Sequence, residues 1–176
     1  YIVGRQDVID RVSYRLTAPG IGREVGSYAG SYQPFYQGLF LAPHVVAQAV
    51  RTSVLAAAVC EALGMRSTPV PEDRRTDIIQ ALELGTPERL IAFCQGIQMA
   101  SPIDSMALPE PWDMPGYQHQ VIMAAGTFVS GASIELSADA PMREPYTAFL
   151  QGGLTYSHGK LALARTFEYM QKMGLL

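Results

Sequence analysis

Lysine is almost missing from this chain. Among 176 residues only Lys160 and Lys172 carry an ε-amine. Charge is sparse in general: charged residues make up 16% of the sequence, the formal net charge is −3, and no stretch gathers lysines and arginines into a patch. A surface built for nucleic acid or for an anionic membrane is therefore excluded as an expectation. Cysteine is scarce too. Cys60 and Cys94 fit neither a disulfide framework nor metal-ligand spacing, and both sit in apolar helical patterns. They read as small buried hydrophobes in a reducing cytoplasm. The start lacks an initiator methionine, a charged n-region and an apolar h-region. Tyr1-Ile2-Val3-Gly4 is thus no signal peptide and reads as a chain that begins in the middle of something.

Hydrophobic residues, by contrast, reach 48%, enough to bury a core. Their spacing predicts a helix over residues 6–17, where Val8, Ile9, Val12 and Leu16 recur at helical intervals. Residues 19–38 read as a Gly/Tyr-rich loop. Its glycines at 20, 22, 26 and 30 do not match a phosphate-cradle spacing. A long helix is expected over 39–64, kinked at Pro43 and buried on several sides, because its apolar residues run all round. Residues 45–64 are about as long as a membrane span of roughly 20 residues. Gln48, Arg51 and Glu61 within them favour a buried or interface helix.

Strands are expected at 68–70 and 77–84. Thr86 should cap a helix over 87–99 that opens with Pro87 and buries Leu90, Ile91, Cys94 and Ile97. Gly96 inside that helix predicts a close approach. A proline-rich loop follows, with a short strand at 102–106, and the single tryptophan, Trp112, is expected to pin it to the core. Further strands fall at 120–125, 130–136 and 147–151. The last helix, over 157–172, puts Leu163, Phe167 and Met170 on one face. The fold class is α/β: a mixed or antiparallel sheet with helices on one face plus a long connecting helix.

Candidate chemistry is thin. His44, His119 and His158 lack metal spacing and read as capping or core residues, so no metal site is assigned. Asp104 with Ser105, and Ser157 with His158, lack the elbow a triad needs. Tyr28, Tyr32, Tyr36 and Tyr117 suit a ligand mouth or a packed contact. Arg143 stands apart, held between Pro141 and Pro145 in a strand-to-strand connection. A guanidinium there could fork onto a carboxylate, or pair locally with Glu144 or Asp139. Arg15 and Arg23 are the fallback cations.

Several stretches together carry a resemblance: YRLTAPGIGREVG, QGLFLAPHVV, RRTDIIQALELG, LIAFCQGIQ, PEPWDMPGY, QVIMAAGTFVSGASIELSADAPMREPY and LQGGLTY. The chain resembles, over nearly its whole length, the methionine γ-lyase-like family also labelled aluminium resistance protein. These are pyridoxal 5'-phosphate (PLP) proteins of the aspartate-aminotransferase fold (fold type I), similar to cystathionine-metabolising lyases. Met106-Ala107 departs from the more polar pair expected there.

The resemblance implies a C-terminal part only. Residues 1–38 would end the large cofactor domain, 39–64 would be the connecting helix, and 65–176 the small domain. The cofactor-bearing lysine would lie upstream of Tyr1, and neither Lys160 nor Lys172 matches it. No catalytic residue is assigned, the cofactor-binding residues stay unknown, and Arg143 is implied as the group that holds the substrate carboxylate. The parent would be a cytoplasmic homo-oligomer, dimer or tetramer, cleaving a carbon–sulfur bond of an amino acid by elimination. This chain alone would be inactive. Two other readings stay open: a non-catalytic binding or oligomerisation module, and a PLP enzyme whose amino-acid substrate has no sulfur.

Overall fold

The computed structural model describes residues 3–13, 30–125 and 133–176. Its elements run α1 (Gln6–Ser13), α2 (Gln33–Ala62), β1 (Arg66–Thr68), β2 (Gln80–Glu83), α3 (Pro87–Met99), β3 (Val121–Ala125), β4 (Ser137–Pro141), β5 (Thr147–Gln151) and α4 (Tyr156–Lys172). The strands form one five-stranded sheet in the order β1-β2-β5-β4-β3. Each neighbouring pair is antiparallel. The α/β class with helices on one sheet face is as expected, and the sheet is antiparallel rather than mixed.

Strand alternation decides which face is covered. Leu82, Ala138, Ala140, Ala148 and Leu150 point under the helices and are fully buried or nearly so. There they join Leu90, Phe93, Cys94 and Ile97 of α3 and Ala162, Leu163, Phe167 and Met170 of α4 in one core. Each large aliphatic side chain buried this way contributes roughly 1.5–3 kcal/mol. The intervening residues, Asp139 and Phe149 among them, are only partly covered or exposed and belong to the open face. Thr86 caps α3 as predicted, its hydroxyl accepting from the Arg89 N–H at 3.3 Å. Gly96 is where α3 meets α4. A Cβ there would lie 2.8 Å from the Thr166 Cα, so only glycine allows the two backbones this close.

Several expectations are corrected. Helix α2 opens at Gln33, not at residue 39, with Pro34 in its first turn, where its missing N–H costs nothing. His44 therefore lies inside the helix and not at its start. Pro43 also sits within the helix. Burial of α2 is confined to one stripe, Ala49, Thr52, Ser53, Ala56, Ala57 and Cys60. Strand β1 ends at Thr68, because Pro69 has no N–H to continue the ladder. Strand β2 starts only at Gln80. The Asp77 carboxylate accepts from the Ile79 N–H at 2.8 Å and holds a turn before it.

Residues 102–106 form no strand. The Gln98 amide donates to the Asp104 carbonyl at 3.0 Å, and the Ala107 N–H bonds the same oxygen at 2.9 Å, which closes a turn. Of the strand expected over 130–136, residues 130–132 lie outside the described ones and 133–136 are turn and bend. The carbonyls of Ile134 and Glu135 are taken by the Gly153 N–H, at 3.0 Å each, so this stretch wraps over the end of β5 instead of joining the ladder. Gly152 makes that wrap possible. It has φ +92°, and a Cβ on it would come within 2.5 Å of the Ser133 carbonyl. Trp112 does not pin its loop by the indole, which is half exposed. Its backbone does so, exchanging two hydrogen bonds of 3.2 and 3.0 Å with Val121, while Met114 supplies the buried side chain.

Candidate functional site

The open face of the sheet holds a cavity of about 510 Å³ at the β3–β4 end. One wall is the segment before β3, Gly116 to His119, together with Val121. The other is Asp139, Ala140, Pro141, Arg143 and Phe149. Two backbone hydrogen bonds hold Arg143 in place. Its own N–H donates to the Pro141 carbonyl at 2.8 Å, and its carbonyl accepts from the Tyr146 N–H at 2.7 Å. The turn is bolted to the end of β2 as well: the Leu84 N–H reaches the Tyr146 carbonyl at 3.0 Å, and the Gly85 N–H reaches the Pro145 carbonyl at 3.2 Å. Tyr146 has φ +59°, the left-handed region that a bulky side chain avoids. Strain of this kind persists only where the surroundings over-determine it. The four bonds around it supply that constraint.

The Arg143 side chain is exposed at the cavity rim, and among the described residues it makes no hydrogen bond or ion pair. The local pairing with Glu144 or Asp139 considered from the sequence is not formed. Arg15 and Arg23 lie outside the described residues, as do Tyr28 and Gly20, Gly22 and Gly26. Asp139 sits in mid-strand between Met123 on β3 and Phe149 on β5. Burial pushes its carboxyl above the usual carboxylate range, and a hydrogen bond from its own backbone N–H pulls the other way.

Of the tyrosines, Tyr117 lines the cavity, whereas Tyr32 and Tyr36 are exposed around the start of α2. His119 also lines the cavity, a place its spacing did not signal. His158 is half-buried in the first turn of α4, with a ring nitrogen 3.1 Å from the Ala100 carbonyl. Both thiols are buried. Desolvation, with Glu61 adding to it, pushes Cys60 up to about 12. Cys94 is pushed higher still, by desolvation first and then by Asp139. No group of three or more metal-ligating side chains occurs among the described residues.

The fit to PLP can be tested on the two lysines. Lys160 is exposed on α4, and Lys172 pairs with Glu168 at 2.6 Å on the same helix. Neither lines the cavity. The described residues therefore do not fit covalent attachment of the cofactor, and no step through it can be built from them.

Comparison with known proteins decides the family. The methionine gamma-lyase profile matches residues 1–171. This chain belongs to the methionine gamma-lyase family. Within that family it is 52% identical over its whole length to YnbB of Bacillus subtilis, an uncharacterized protein of which it spans 42%. A 33.9 kDa Lactobacillus delbrueckii protein, also uncharacterized, is 45% identical over 97% of this chain and 56% of its own length. Among solved structures, a carbon-sulfur lyase involved in aluminum resistance from Clostridium novyi superposes with TM-score 0.73 at 50% identity. That match covers 93% of this chain and 38% of the other. A Listeria monocytogenes protein, provisionally named a cystathionine beta-lyase involved in aluminum resistance, gives TM-score 0.76 at 48% identity over 95% and 41%. The chain thus spans between 38% and 56% of the length of these family members.

Proposed function

We propose that this chain carries the carboxylate-holding end of a PLP-dependent carbon–sulfur lyase that acts on a sulfur amino acid by elimination. The observation that supports this most is Arg143: an unpaired guanidinium at a cavity, on a turn fixed by backbone bonds at both ends. Its planar fork would take both carboxylate oxygens of an amino-acid substrate and fix the orientation of the bond to be cleaved. PLP, when bound, supplies the electron sink for elimination. It and its lysine would come from the part of the longer protein outside this chain. The protein would work in the cytoplasm as a homo-oligomer.

The test is kinetic, on the full-length protein. Arg143→Ala should lower kcat/KM by roughly ten- to a hundredfold, because a charged hydrogen-bonded pair contributes about 1.5–3 kcal/mol. Arg143→Lys should recover only part, since an ammonium has no planar fork. The melting temperature should hardly move. Wild-type kinetics in Arg143→Ala would defeat the reading. A screen of amino acids for keto-acid release separates sulfur from non-sulfur substrates. A second reading, an association module without chemistry, is favoured by the apolar start of α2, where Leu39 and Phe40 are exposed.

A further inference from the structure

Asp139 faces the same cavity as Arg143, and the mechanism above does not use it. Its carboxylate is flanked on the two neighbouring strands by apolar side chains, Met123 and Phe149. Among the described residues no ion pair reaches it, and its hydrogen bond comes from its own backbone. A half-buried carboxylate without a counter-charge is costly unless something brings one. The charged or titratable side chains that line the cavity with it are Arg143, His119 and Tyr117. Arg143 does not pair with it, although both line one cavity. Asp139, Ala140 and Pro141 of β4 and Arg143 of the turn after it line the cavity along one stretch of chain. At about 3.3 Å per residue the Cα atoms of Asp139 and Arg143 are at most roughly 13 Å apart. The cavity therefore presents a cation at its rim and an anion in its wall, on backbone positions no more than roughly 13 Å apart.

We infer that Asp139 is a second recognition point, selecting ligands that carry a cationic amine several bonds from the carboxylate held by Arg143. The substrate class is an amino acid whose side chain ends in an ammonium group. This rests on the reading of Arg143 as the carboxylate site, and the test keeps the two apart.

The probes are 6-aminohexanoate and hexanoate, which share a carboxylate and a chain and differ by one ammonium. They are titrated at pH 8, where free imidazoles are neutral, into this chain while its amide resonances are followed by NMR. The expected result is about tenfold tighter binding of 6-aminohexanoate, with shifts at Asp139 and at residues 117–121. Asp139→Asn, which keeps the shape, should abolish the preference and leave hexanoate unchanged. Arg143→Ala should weaken both probes. Equal affinities in the wild type, or an equal loss of both probes in Asp139→Asn, overturn the role of Asp139 even if Arg143→Ala behaves as expected. Unchanged binding in Arg143→Ala overturns the carboxylate reading, and with it the two-point match. Should Asp139→Asn fail to fold, the carboxyl ¹³C resonance of Asp139 decides in the wild type. Its titration midpoint should fall on saturation with 6-aminohexanoate and stay in place with hexanoate. A midpoint that ignores both overturns the inference.

Discussion

The two halves of α2 invert the usual rule. In residues 49–60 the buried stripe is made of small side chains, Ala49, Thr52, Ser53, Ala56, Ala57 and Cys60. In residues 33–46 the large ones stand in the open: Leu39 is 74% exposed and Phe40 83%, with Phe35, Tyr36 and Val46 around them. Small residues in the packed half let backbones come close. Thr52 fits against Gly153 and Gly159, and the Gln48 side chain caps the approach by accepting from the Tyr156 N–H at 2.8 Å. In the bare half Phe35 has a ring partner in Tyr32 at 6.1 Å, while Leu39 and Phe40 stay largely exposed. Scattered exposed apolar residues are ordinary, but a contiguous run of them marks a contact. Under the proposed function, a further part of a longer protein or a second copy would cover that run. The sheet repeats the contrast, with one face sealed by helices and the other holding a cavity.

The largest effect should come from disturbing the packed half. A Cβ on Gly159 would sit 2.5 Å from the Thr52 side chain. Gly159→Ala should therefore destabilise by about 1–3 kcal/mol through overpacking. Pairing it with Thr52→Ala should return part of that loss, because the clashing atoms are gone. Denaturant melts of the four proteins in that cycle give the coupling, expected at about 0.5–3 kcal/mol. Additive single effects would mean that α2 and α4 are not packed this way.

The bare half should answer differently. Leu39→Ser with Phe40→Ser should change stability by no more than about 0.5 kcal/mol, yet reduce self-association and binding of an apolar dye. Sedimentation at several concentrations reads the first and fluorescence the second. A wild-type chain that stays monomeric and dye-free at high concentration would remove the contrast altogether.

On the open face of the sheet a smaller effect is expected, and its sign follows from linkage. The folded-state pKa of Asp139 is raised by burial. The folded chain then binds the proton more tightly than the unfolded one, so stability is lost as pH rises from the unfolded value through the folded one. Asp139→Asn should thus raise the melting temperature slightly at pH 7 and leave it unchanged at pH 3. An equal shift at both pH values would assign the effect to packing.

Smallest of all is the response of the thiols at and beyond the end of the packed half. Cys60, pushed up to about 12 by burial, and Cys94 should both resist alkylation in the native chain and react on unfolding. Rapid native labelling of Cys60 would mean that this end of α2 opens readily.

What the sequence determined by itself is local. The Thr86-Pro87 start and, of the face expected for α3, Leu90, Cys94 and Ile97 follow from capping chemistry and helical spacing, whereas Ile91 is only half-buried. The apolar face of α4 follows in the same way, while β5 stands at the bounds expected for it, residues 147–151. Gly96 announced its close contact because glycine inside a helix is costly without one. The resemblance in the motif-bearing stretches pointed to the family that the comparison then established. What only tertiary structure decided depends on partners distant in sequence. SADAP is a poor strand by propensity, yet it becomes β4 because its alanines fit under the helices and its neighbours on both sides supply the ladder. The apolar run around α2 could not say which side would be covered, since a helix rich in alanine on one face and large residues on another looks buried all round. His119 and Asp139 carry no local signal. They become part of a site only because the turn before β3 and the middle of β4 fold onto the same open face as Arg143.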